Sequence, residues 1–452
     1  MVIVLKMLSV FPVRKLSSLL LSFVLMVTIG VNSVESPVNG STTASNITST
    51  SSSPLLLPSQ QDLYFNSTSE DGESKITEQI KELLRERIDN NKTNAAIAIG
   101  LVDKNGTQFY SYGQLSHNSN AKVDQNTIFA IGSNTKVFTA LLLADMVNNG
   151  LVNLDDPVER YLPVNVTVPQ YKGHKITLED LATHTSGLPE WPYNYCPQYD
   201  PSRASVQDSI QFRLGLINCT KDYTIKQFYQ ALSNTSLSGE PGSQFHYSTF
   251  GSGLLGHILV LKSNMSSYEE LLQKRILDVL GMNSTGINLS EQDKMRLAIG
   301  HYKGQEIPMW NLSAPIEGGG AIYSTAADMV KFLSANIGLI KTVLDKPMQD
   351  SHLIRHGTGQ LLPNNLQTSE GAKLDYYVGL GWIITTNFGH EIIWHNGATA
   401  SGYNAFMGFN PTTERGVVIL TSDDITSNNV SNIVFNDKDT LSNLIMDLLT
   451  RN

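Results

Sequence analysis

A serine and a lysine three residues apart form the most reactive pair in this sequence. Ser133 and Lys136 open a segment whose apolar residues recur at helical spacing, and Gly150 follows it where a helix C-terminal glycine belongs. Residues i and i+3 share one helix face, so the hydroxyl and the amine would be neighbours at the positive end of the helix dipole. A serine becomes a nucleophile when an adjacent base takes its proton. Lysine can be that base if burial lowers its pKa from about 10.4.

A plainer interpretation exists for the same pair. Ser133 would then be a helix N-cap and Lys136 a solvated residue of the first turn. The Ser-x-x-Lys pattern is short, and it recurs at Ser119 and Lys122 in a polar stretch with no apolar helix behind it. Two motifs further along the chain favour the chemical interpretation.

The second motif begins with Pro241-Gly242 and continues as Tyr247-Ser248-Thr249, and the third is His395-Asn396-Gly397 on a late strand pattern. The three motifs in this order resemble those of the serine β-lactamase and penicillin-binding protein family. The resemblance is closest to the class C β-lactamase and D-alanyl-D-alanine carboxypeptidase branch. Two supporting stretches, 178–189 and 318–328, also resemble family sequence.

The resemblance, which extends from about Ala95 to Leu420, implies roles for individual residues. Ser133 would be the acylated nucleophile and Lys136 its proton acceptor. Tyr247 would relay protons to the leaving group and later help to activate water. The backbone N–H groups of Ser133 and Ala398 would form an oxyanion hole, each donor contributing about 3 kcal/mol. The family chemistry implies a small-molecule or peptide substrate, no metal and no cofactor.

Two residues depart from the commonest family pattern. Thr249 stands where the family usually has an asparagine that holds the substrate, and its hydroxyl makes fewer hydrogen bonds than an amide. His395 stands where the family has lysine or histidine, and an imidazole with a pKa near 6.5 is mostly neutral at pH 7. We expect Thr249, His395, Asn396 and Gly397 to bind the substrate. If His395 contacts a substrate carboxylate, the affinity for carboxylates should rise as the pH falls.

Other polar residues are predicted to be structural. His184, in the stretch Thr-His-Thr-Ser-Gly-Leu-Pro, is expected to shape a loop, and Thr325 with Asp328 has the pattern of a helix capping box. His352 and His356 are four residues apart, but they lack the His-Glu-x-x-His pattern, which disfavours a metal site. The sequence has no Gly-x-Ser-x-Gly elbow, which disfavours an α/β-hydrolase.

The N-terminal residues carry the pattern of a targeting segment. Basic residues precede an apolar run from Leu16 to Val31, which favours a secretory signal peptide over residues 1–33. A retained single-pass membrane anchor is the alternative, because the run approaches the length of a bilayer span. Residues 34–73 are rich in Ser, Thr, Asn and Pro, and they predict a disordered linker.

Composition and cysteine usage fit a secreted glycoprotein. The net charge of −9, without a basic cluster, argues against a nucleic-acid partner. The two cysteines, Cys196 and Cys219, predict one disulfide in an oxidising compartment, with two buried free thiols as the alternative. Glycosylation sequons, some of which would arise by chance, occur at Asn39, Asn46, Asn66, Asn91, Asn105, Asn165, Asn218, Asn234, Asn264, Asn283, Asn288, Asn311 and Asn429.

The elements that must position these residues lie at both ends of the chain. A chain of 452 residues, 41% hydrophobic, can bury a large core. Helix patterns cover 74–90 and 441–449, and strand patterns cover 95–102, 108–112, 377–386, 391–395, 405–409 and 416–420. The predicted fold is α+β: an antiparallel sheet flanked by N- and C-terminal helices, plus a mainly helical second lobe at about 150–300, in a hydrolase domain over 74–452.

The sequence therefore predicts a secreted serine hydrolase that works through an acyl-enzyme on D-amino-acid peptides, β-lactams or esters. A catalytically silent protein of the same fold, which binds ligands or assembles with other subunits, is the alternative. The sequence carries no signal for an oligomeric state.

Overall fold

A nine-stranded antiparallel sheet made from both ends of the chain is the frame of the molecule. The computed structural model describes residues 64–67, 74–85, 95–198, 209–358, 375–387, 390–423 and 448–450. The sheet strands are β1 (Tyr64–Ser67), β2 (Ala96–Asp103), β3 (Gly106–Gly113), β8 (His356–Gly357), β9 (Asp375–Val378), β10 (Ile383–Asn387), β11 (His390–Ala398), β12 (Asn404–Asn410) and β13 (Arg415–Thr421). Their order is β1-β3-β2-β13-β12-β11-β10-β9-β8.

Four shorter strands form two small antiparallel sheets outside this frame. They are β4 (Ile128–Ala130) with β7 (Tyr323–Thr325), and β5 (Gly300–Tyr302) with β6 (Gln305–Ile307). The first of these pairs holds the chain that leads into the Ser133 turn.

The helices lie on both faces of the large sheet. They are α1 (Ser74–Arg85), α2 (Thr135–Asn148), α3 (Leu178–Ala182), α4 (Ile210–Thr220), α5 (Ile225–Asn234), α6 (Thr249–Ser263), α7 (Tyr268–Leu272), α8 (Asp278–Leu280), α9 (Glu291–Lys294), α10 (Ala326–Ile337) and α11 (Asp345–Ser351), and residues 448–450 are also helical. Short 3-10 turns cover Gly132–Asn134, Val158–Arg160 and Ala314–Gly319, and a π-helical turn covers Gln273–Leu277.

Each central strand buries both of its faces. In β2, Ala96, Ala98 and Val102 face the larger core with α2 and α10, whereas Ile97 and Ile99 face a smaller core on the other side. Successive side chains of a strand point to opposite faces, which produces this alternation. The smaller core includes Ile80 and Leu84 of α1 and Leu449 near the C-terminus. The predicted sheet flanked by N- and C-terminal helices, with a largely helical middle region, is therefore confirmed.

Most of the predicted strands are confirmed, but one is wrong. The hairpin turn at Lys104-Asn105-Gly106 joins β2 to β3, with Asp103 opposite Gly106. Residues 377–386 were predicted to form one strand, whereas the chain makes β9, a turn at 379–382, and then β10. Gly381 occupies this turn at φ +72°, where a Cβ atom would lie 2.7 Å from the Ala140 Cβ. The turn therefore packs against the helix that follows Ser133, which the strand pattern did not reveal.

The boundaries of α2 follow its sequence signals. Gly150 adopts the left-handed conformation at φ +68° just beyond the helix. The N–H of Gly150 donates to the Val147 carbonyl at 2.9 Å, and that of Leu151 donates to the Met146 carbonyl at 2.9 Å. This pair of bonds is a Schellman motif.

The predicted capping box at Thr325 is only half formed. The Thr325 hydroxyl accepts from the Asp328 N–H at 3.1 Å. The Asp328 carboxylate does not bond back to the cap. It accepts from the Ser284 N–H and the Thr285 hydroxyl, at 2.8 and 2.9 Å, so a tertiary contact replaces the second half of the box.

The N-terminal predictions fall largely outside the described residues. The signal peptide or anchor over 1–33 lies there, as do residues 86–90 and 441–447 of the predicted helices. Within the predicted linker, 64–67 form β1 and pair with β3, with Tyr64 opposite Ser111, which differs from the expectation of disorder.

Within the part of the chain that the structure describes, no helix combines the length and the apolar character needed to span a bilayer.

Cys196 and Cys219 form a disulfide, with their Cα atoms 5.7 Å apart. The predicted bridge is confirmed, and the free-thiol alternative is wrong. The bond ties α4 to the segment that follows α3, across 23 positions of the sequence.

Removing this disulfide should destabilise the protein by about 3 kcal/mol, because the unfolded chain regains the entropy of an open loop. We expect the double variant Cys196→Ser, Cys219→Ser to show that loss in equilibrium urea unfolding. The parent protein, unfolded in the presence of a reductant, serves as the control and should match the variant. Equal stability of the variant and the oxidised parent would contradict the prediction.

Candidate active site

The Ser133 hydroxyl and the Lys136 amine are in direct contact. Ser133 lies in the 3-10 turn Gly132–Asn134 that leads into α2, and no side chain caps either element. Lys136 Nζ lies 2.9 Å from Ser133 Oγ and donates to the Gly319 carbonyl at 2.7 Å. The lysine side chain is buried, with 2% of its surface exposed. The structure therefore contradicts the plainer interpretation of a serine N-cap and a solvated lysine.

Burial prepares Lys136 to act as a base. Desolvation lowers its pKa from 10.5 to about 7, and the Glu190 carboxylate opposes this only in part. A neutral amine has two N–H groups and one lone pair. Because the Gly319 carbonyl holds one N–H, the lone pair can face Ser133. Thr139, one turn further along α2, donates to the Gly318 carbonyl at 2.7 Å and so fixes the turn that carries Gly319.

Tyr247 completes a three-residue cluster. Its ring centroid lies 4.8 Å from Lys136 Nζ. Burial raises the pKa of the Tyr247 phenol above its ordinary value of 10, and the Ser133 side chain lowers it in part, so the phenol and the serine are neighbours. The phenol is therefore protonated at neutral pH, and it is suited to passing a proton on rather than to acting as an initial base.

Two glycines bring the predicted oxyanion donors together. A Cβ atom on Gly132 would lie 2.9 Å from the Ala398 nitrogen, and one on Gly397 would lie 2.9 Å from the Ser133 nitrogen. Any side chain at either position would push strand β11 away from the Ser133 turn. The close approach brings the backbone of Ala398 beside that of Ser133, and the oxyanion role of their N–H groups stays a prediction.

A loop from His184 to Glu190 holds the Tyr247 motif from the other side. The His184 carbonyl accepts from the His246 N–H at 2.6 Å, and its Nδ1 accepts from the Ser248 N–H at 3.1 Å. The Pro189 carbonyl accepts from the Ser248 hydroxyl at 2.7 Å. Sequence reasoning correctly predicted a loop here but missed its partner. The Thr-His-Thr-Ser-Gly-Leu-Pro stretch and the Tyr-Ser motif lie side by side in the structure. The spacing of residues within either segment does not indicate this contact.

His184 is the strained member of this loop. It is buried at φ +59°, and its ring centroid lies 4.5 Å from that of Tyr247. Because Nδ1 accepts a hydrogen bond, the neutral ring carries its proton on Nε2. Burial lowers the pKa of His184 well below 6.5, and the charge of Lys136 lowers it further.

We expect His184→Ala to lower the free energy of unfolding by about 2–4 kcal/mol, because it leaves the Ser248 N–H unpaired and puts alanine in a left-handed conformation. His184→Asn offers an acceptor on a side chain that tolerates this backbone, so its loss should be about 1 kcal/mol. Equilibrium urea unfolding measures both. If alanine were tolerated as well as asparagine, the hydrogen bond would be unimportant.

His395 stays neutral to a lower pH than the sequence suggested. Its side chain is 1% exposed, and burial lowers its pKa from 6.5 to about 3, with the charge of Lys136 contributing. The ring lies 6.4 Å from that of Tyr247, so it belongs to the site. The imidazole therefore stays neutral between pH 8 and 6, which argues against the expected gain in carboxylate affinity as the pH falls; the substrate-binding role of His395 stays a prediction.

Thr249 is almost completely buried. It is the first residue of α6 and is 3% exposed. A Cβ atom on Gly319 would lie 2.7 Å from the Thr249 methyl carbon, so the threonine packs directly on the residue whose carbonyl binds Lys136. The substrate-binding roles of Thr249, Asn396 and Gly397 stay predictions.

The antiparallel sheet with helices on both faces and the Ser133–Lys136–Tyr247 cluster define a serine hydrolase fold. The chain belongs to the beta-lactamase family, whose family model matches residues 80–434.

Known proteins are similar to this chain in sequence. D-alanyl-D-alanine-carboxypeptidase/endopeptidase AmpH of Escherichia coli is 31% identical over 237 residues, which cover 52% of this chain and 56% of the relative. The human putative beta-lactamase-like 1 is 27% identical over 306 residues, 66% of this chain and 54% of that protein. The chain thus spans little more than half the length of these curated relatives.

Solved structures agree on the fold. A beta-lactamase/D-alanine carboxypeptidase from Yersinia pestis superposes with a TM-score of 0.63 at 23% identity, covering 82% of this chain and 97% of the other. A class C beta-lactamase superposes with a TM-score of 0.65 at 20% identity, covering 85% of this chain and 99% of that one.

Proposed function

We propose that the protein hydrolyses acyl compounds through a covalent intermediate on Ser133. The observation that carries this proposal is the buried Lys136 amine, with a pKa of about 7, held 2.9 Å from the serine hydroxyl. A nucleophile and a base in contact, with the base oriented by a third group, is the arrangement that activates a serine. Here the Gly319 carbonyl is the third group.

The reaction proceeds in two halves. Ser133 Oγ attacks the acyl carbon while its proton passes to Lys136 Nζ, and the oxyanion binds the N–H groups of Ser133 and Ala398. The proton then travels through the Tyr247 phenol to the leaving group, which departs and leaves an ester on Ser133. A water molecule attacks that ester and gives up a proton to the amine. The acid is released, and Ser133 recovers its proton.

Candidate substrates are D-amino-acid peptides, β-lactams and esters, and the charges around the site favour those without a free carboxylate. His395 is neutral, and, beside the larger effect of burial, the negative charge of Glu190 raises the pKa values of both Lys136 and Tyr247. Neutral esters, and amides distant from a chain end, therefore suit the site better than substrates with a terminal carboxylate.

A comparison of three substrate classes tests the proposal. The purified protein and its Ser133→Ala variant are assayed with a p-nitrophenyl ester, a chromogenic cephalosporin and a peptide ending in D-Ala-D-Ala. We expect turnover by the parent alone, fastest with the ester. Turnover that survives in Ser133→Ala would refute the acyl-enzyme, and preference for the carboxylate-bearing peptide would refute the substrate class.

We propose further that the protein works outside the cytosol. The disulfide between Cys196 and Cys219 supports this, since such bonds persist in oxidising compartments. Thiol counting on protein isolated from its native source, denatured without reductant, tests the proposal. Two free thiols would refute it.

A further inference from the structure

Two histidines and a glutamate that belong to none of the active-site motifs meet on another part of the surface. His117 lies in the loop after β3, His301 in β5 and Glu306 in β6. Each of the three offers a ligand atom within 4.8 Å of the other two. The two imidazole rings lie 5.0 Å apart between centroids. Residues far apart in the sequence therefore present three metal-ligating side chains to one point.

His301 is the unusual member of this cluster. It is 0% exposed, and neither ring nitrogen makes a hydrogen bond of ordinary length and angle. The backbone carbonyls of Ile299 and Ser422 lie close to the ring. Buried polar groups are nearly always paired. A cation that takes the lone pair of one nitrogen would satisfy the imidazole. The second nitrogen could then face a backbone carbonyl, as in most histidine-bound metal sites.

The glutamate is already held in place for such a cation. One oxygen of Glu306 accepts from the His117 backbone N–H at 2.6 Å, which fixes the carboxylate beside the imidazole. The other carboxylate oxygen of Glu306 can then bind a cation. A carboxylate next to two imidazoles favours a cation over an anion.

We infer that His117, His301 and Glu306 form a binding site for Zn²⁺. Tetrahedral zinc held by these three side chains and one water molecule, with bonds of about 2.1 Å, would place its ligand atoms about 3.4 Å apart. The cluster needs to contract by at most about 1.4 Å from its present separation, and the exposed side chains of His117 and Glu306 can rotate to do so. Two nitrogen donors and one oxygen suit zinc better than calcium or magnesium, which prefer oxygen ligands throughout.

The metal would stabilise one side of the candidate active site. It would join the loop after β3 to the β5–β6 hairpin. That hairpin packs on the turn beyond Ala398: a Cβ atom on Gly402 would lie 2.0 Å from the His301 carbonyl oxygen, and the Ser401 hydroxyl donates to the Pro308 carbonyl at 2.7 Å. The role is structural, and the inference does not depend on the proposed hydrolysis.

Zinc titration of the full-length, metal-free protein by isothermal calorimetry tests the site. We expect one zinc per chain and a rise in Tm of about 2–4 °C at a hundredfold excess over Kd. His117→Ala and Glu306→Gln each remove a direct ligand. Each should therefore weaken zinc binding more than tenfold, which is the smallest loss usual when only a residue that supports a ligand is removed. His174→Ala is the matched control, because this exposed histidine pairs with Glu240 at 3.2 Å but belongs to no group of three possible ligands among the described residues. It should bind zinc as the parent does.

Cobalt provides a second measurement that does not depend on stability. Co²⁺ bound by two imidazoles and a carboxylate in tetrahedral geometry should give visible absorption that His117→Ala lacks and His174→Ala retains. The inference is overturned if the parent binds no zinc below about 100 µM, if His117→Ala binds as tightly as the parent, or if calcium binds as tightly as zinc.

Discussion

We expect the Ser133→Ala variant to lose at least about a thousandfold in kcat/KM and to form no covalent adduct, because the hydroxyl that accepts the acyl group is gone. The parent, incubated with a fluorophosphonate or a fluorescent penicillin, should carry the adduct on the peptide that contains Ser133. Mass spectrometry of the digested protein identifies the site.

Ser119→Ala is the matched control for this experiment. Ser119 also stands three residues before a lysine, Lys122, yet its hydroxyl accepts from the Ala121 N–H in a surface loop. This variant should keep full activity and full labelling. An adduct on any residue other than Ser133, or equal labelling of Ser133→Ala, would refute the assignment of the nucleophile.

Replacing Lys136 by methionine should lower the activity of the protein and raise its stability. Only the neutral amine can accept the serine proton, so kcat/KM of the parent should rise as the pH increases through about 7 and then level off. Lys136→Met should lower kcat by about 10²–10⁴-fold, because no base remains in contact with the hydroxyl. A pH–rate profile that is flat between pH 6 and 8 in the parent would contradict this role.

The same substitution should stabilise the folded protein. Burial lowers the pKa of Lys136 from 10.5 to about 7, so between these values the unfolded chain binds a proton that the native protein lacks. The free energy of unfolding therefore rises with pH across that window, and the penalty for burying the amine is fully present below pH 7. Removing the amine should add roughly 2–4 kcal/mol at pH 7.

Urea unfolding of Lys136→Met at pH 7, beside the exposed-lysine variant Lys226→Met, measures this gain. Lys226→Met should leave stability unchanged within about 0.5 kcal/mol. A loss of stability in Lys136→Met would mean that the bond from the amine to the Gly319 carbonyl outweighs the cost of burial. The lysine would then be a structural residue as well as a base.

The contact between Ser133 and Lys136 could be predicted from the sequence because their spacing at a helix start places the two side chains together, and the later motifs favoured a chemical role for the pair. Strands β2, β3, β12 and β13 could be predicted too, since their apolar patterns are local. The pKa of His395 could not, because it depends on burial created by residues distant in the chain. The hydrogen bond that the Ser248 N–H donates to His184 could not be predicted either, because the two residues are distant in the sequence. Nor could the turn at Gly381, which packs against α2.

The place of β13 in the sheet has a consequence for biosynthesis. This strand, one of the last in the chain, pairs with β2, one of the first, so the centre of the sheet joins the two ends of the sequence. The amino-terminal hairpin emerges from the ribosome long before its neighbour exists, and pairing of this kind folds slowly. By the proposed mechanism, a polypeptide arrested before β11 contains Ser133 but lacks Ala398, one of the two oxyanion donors. Full activity would therefore require the late strand β11 as well as the early serine.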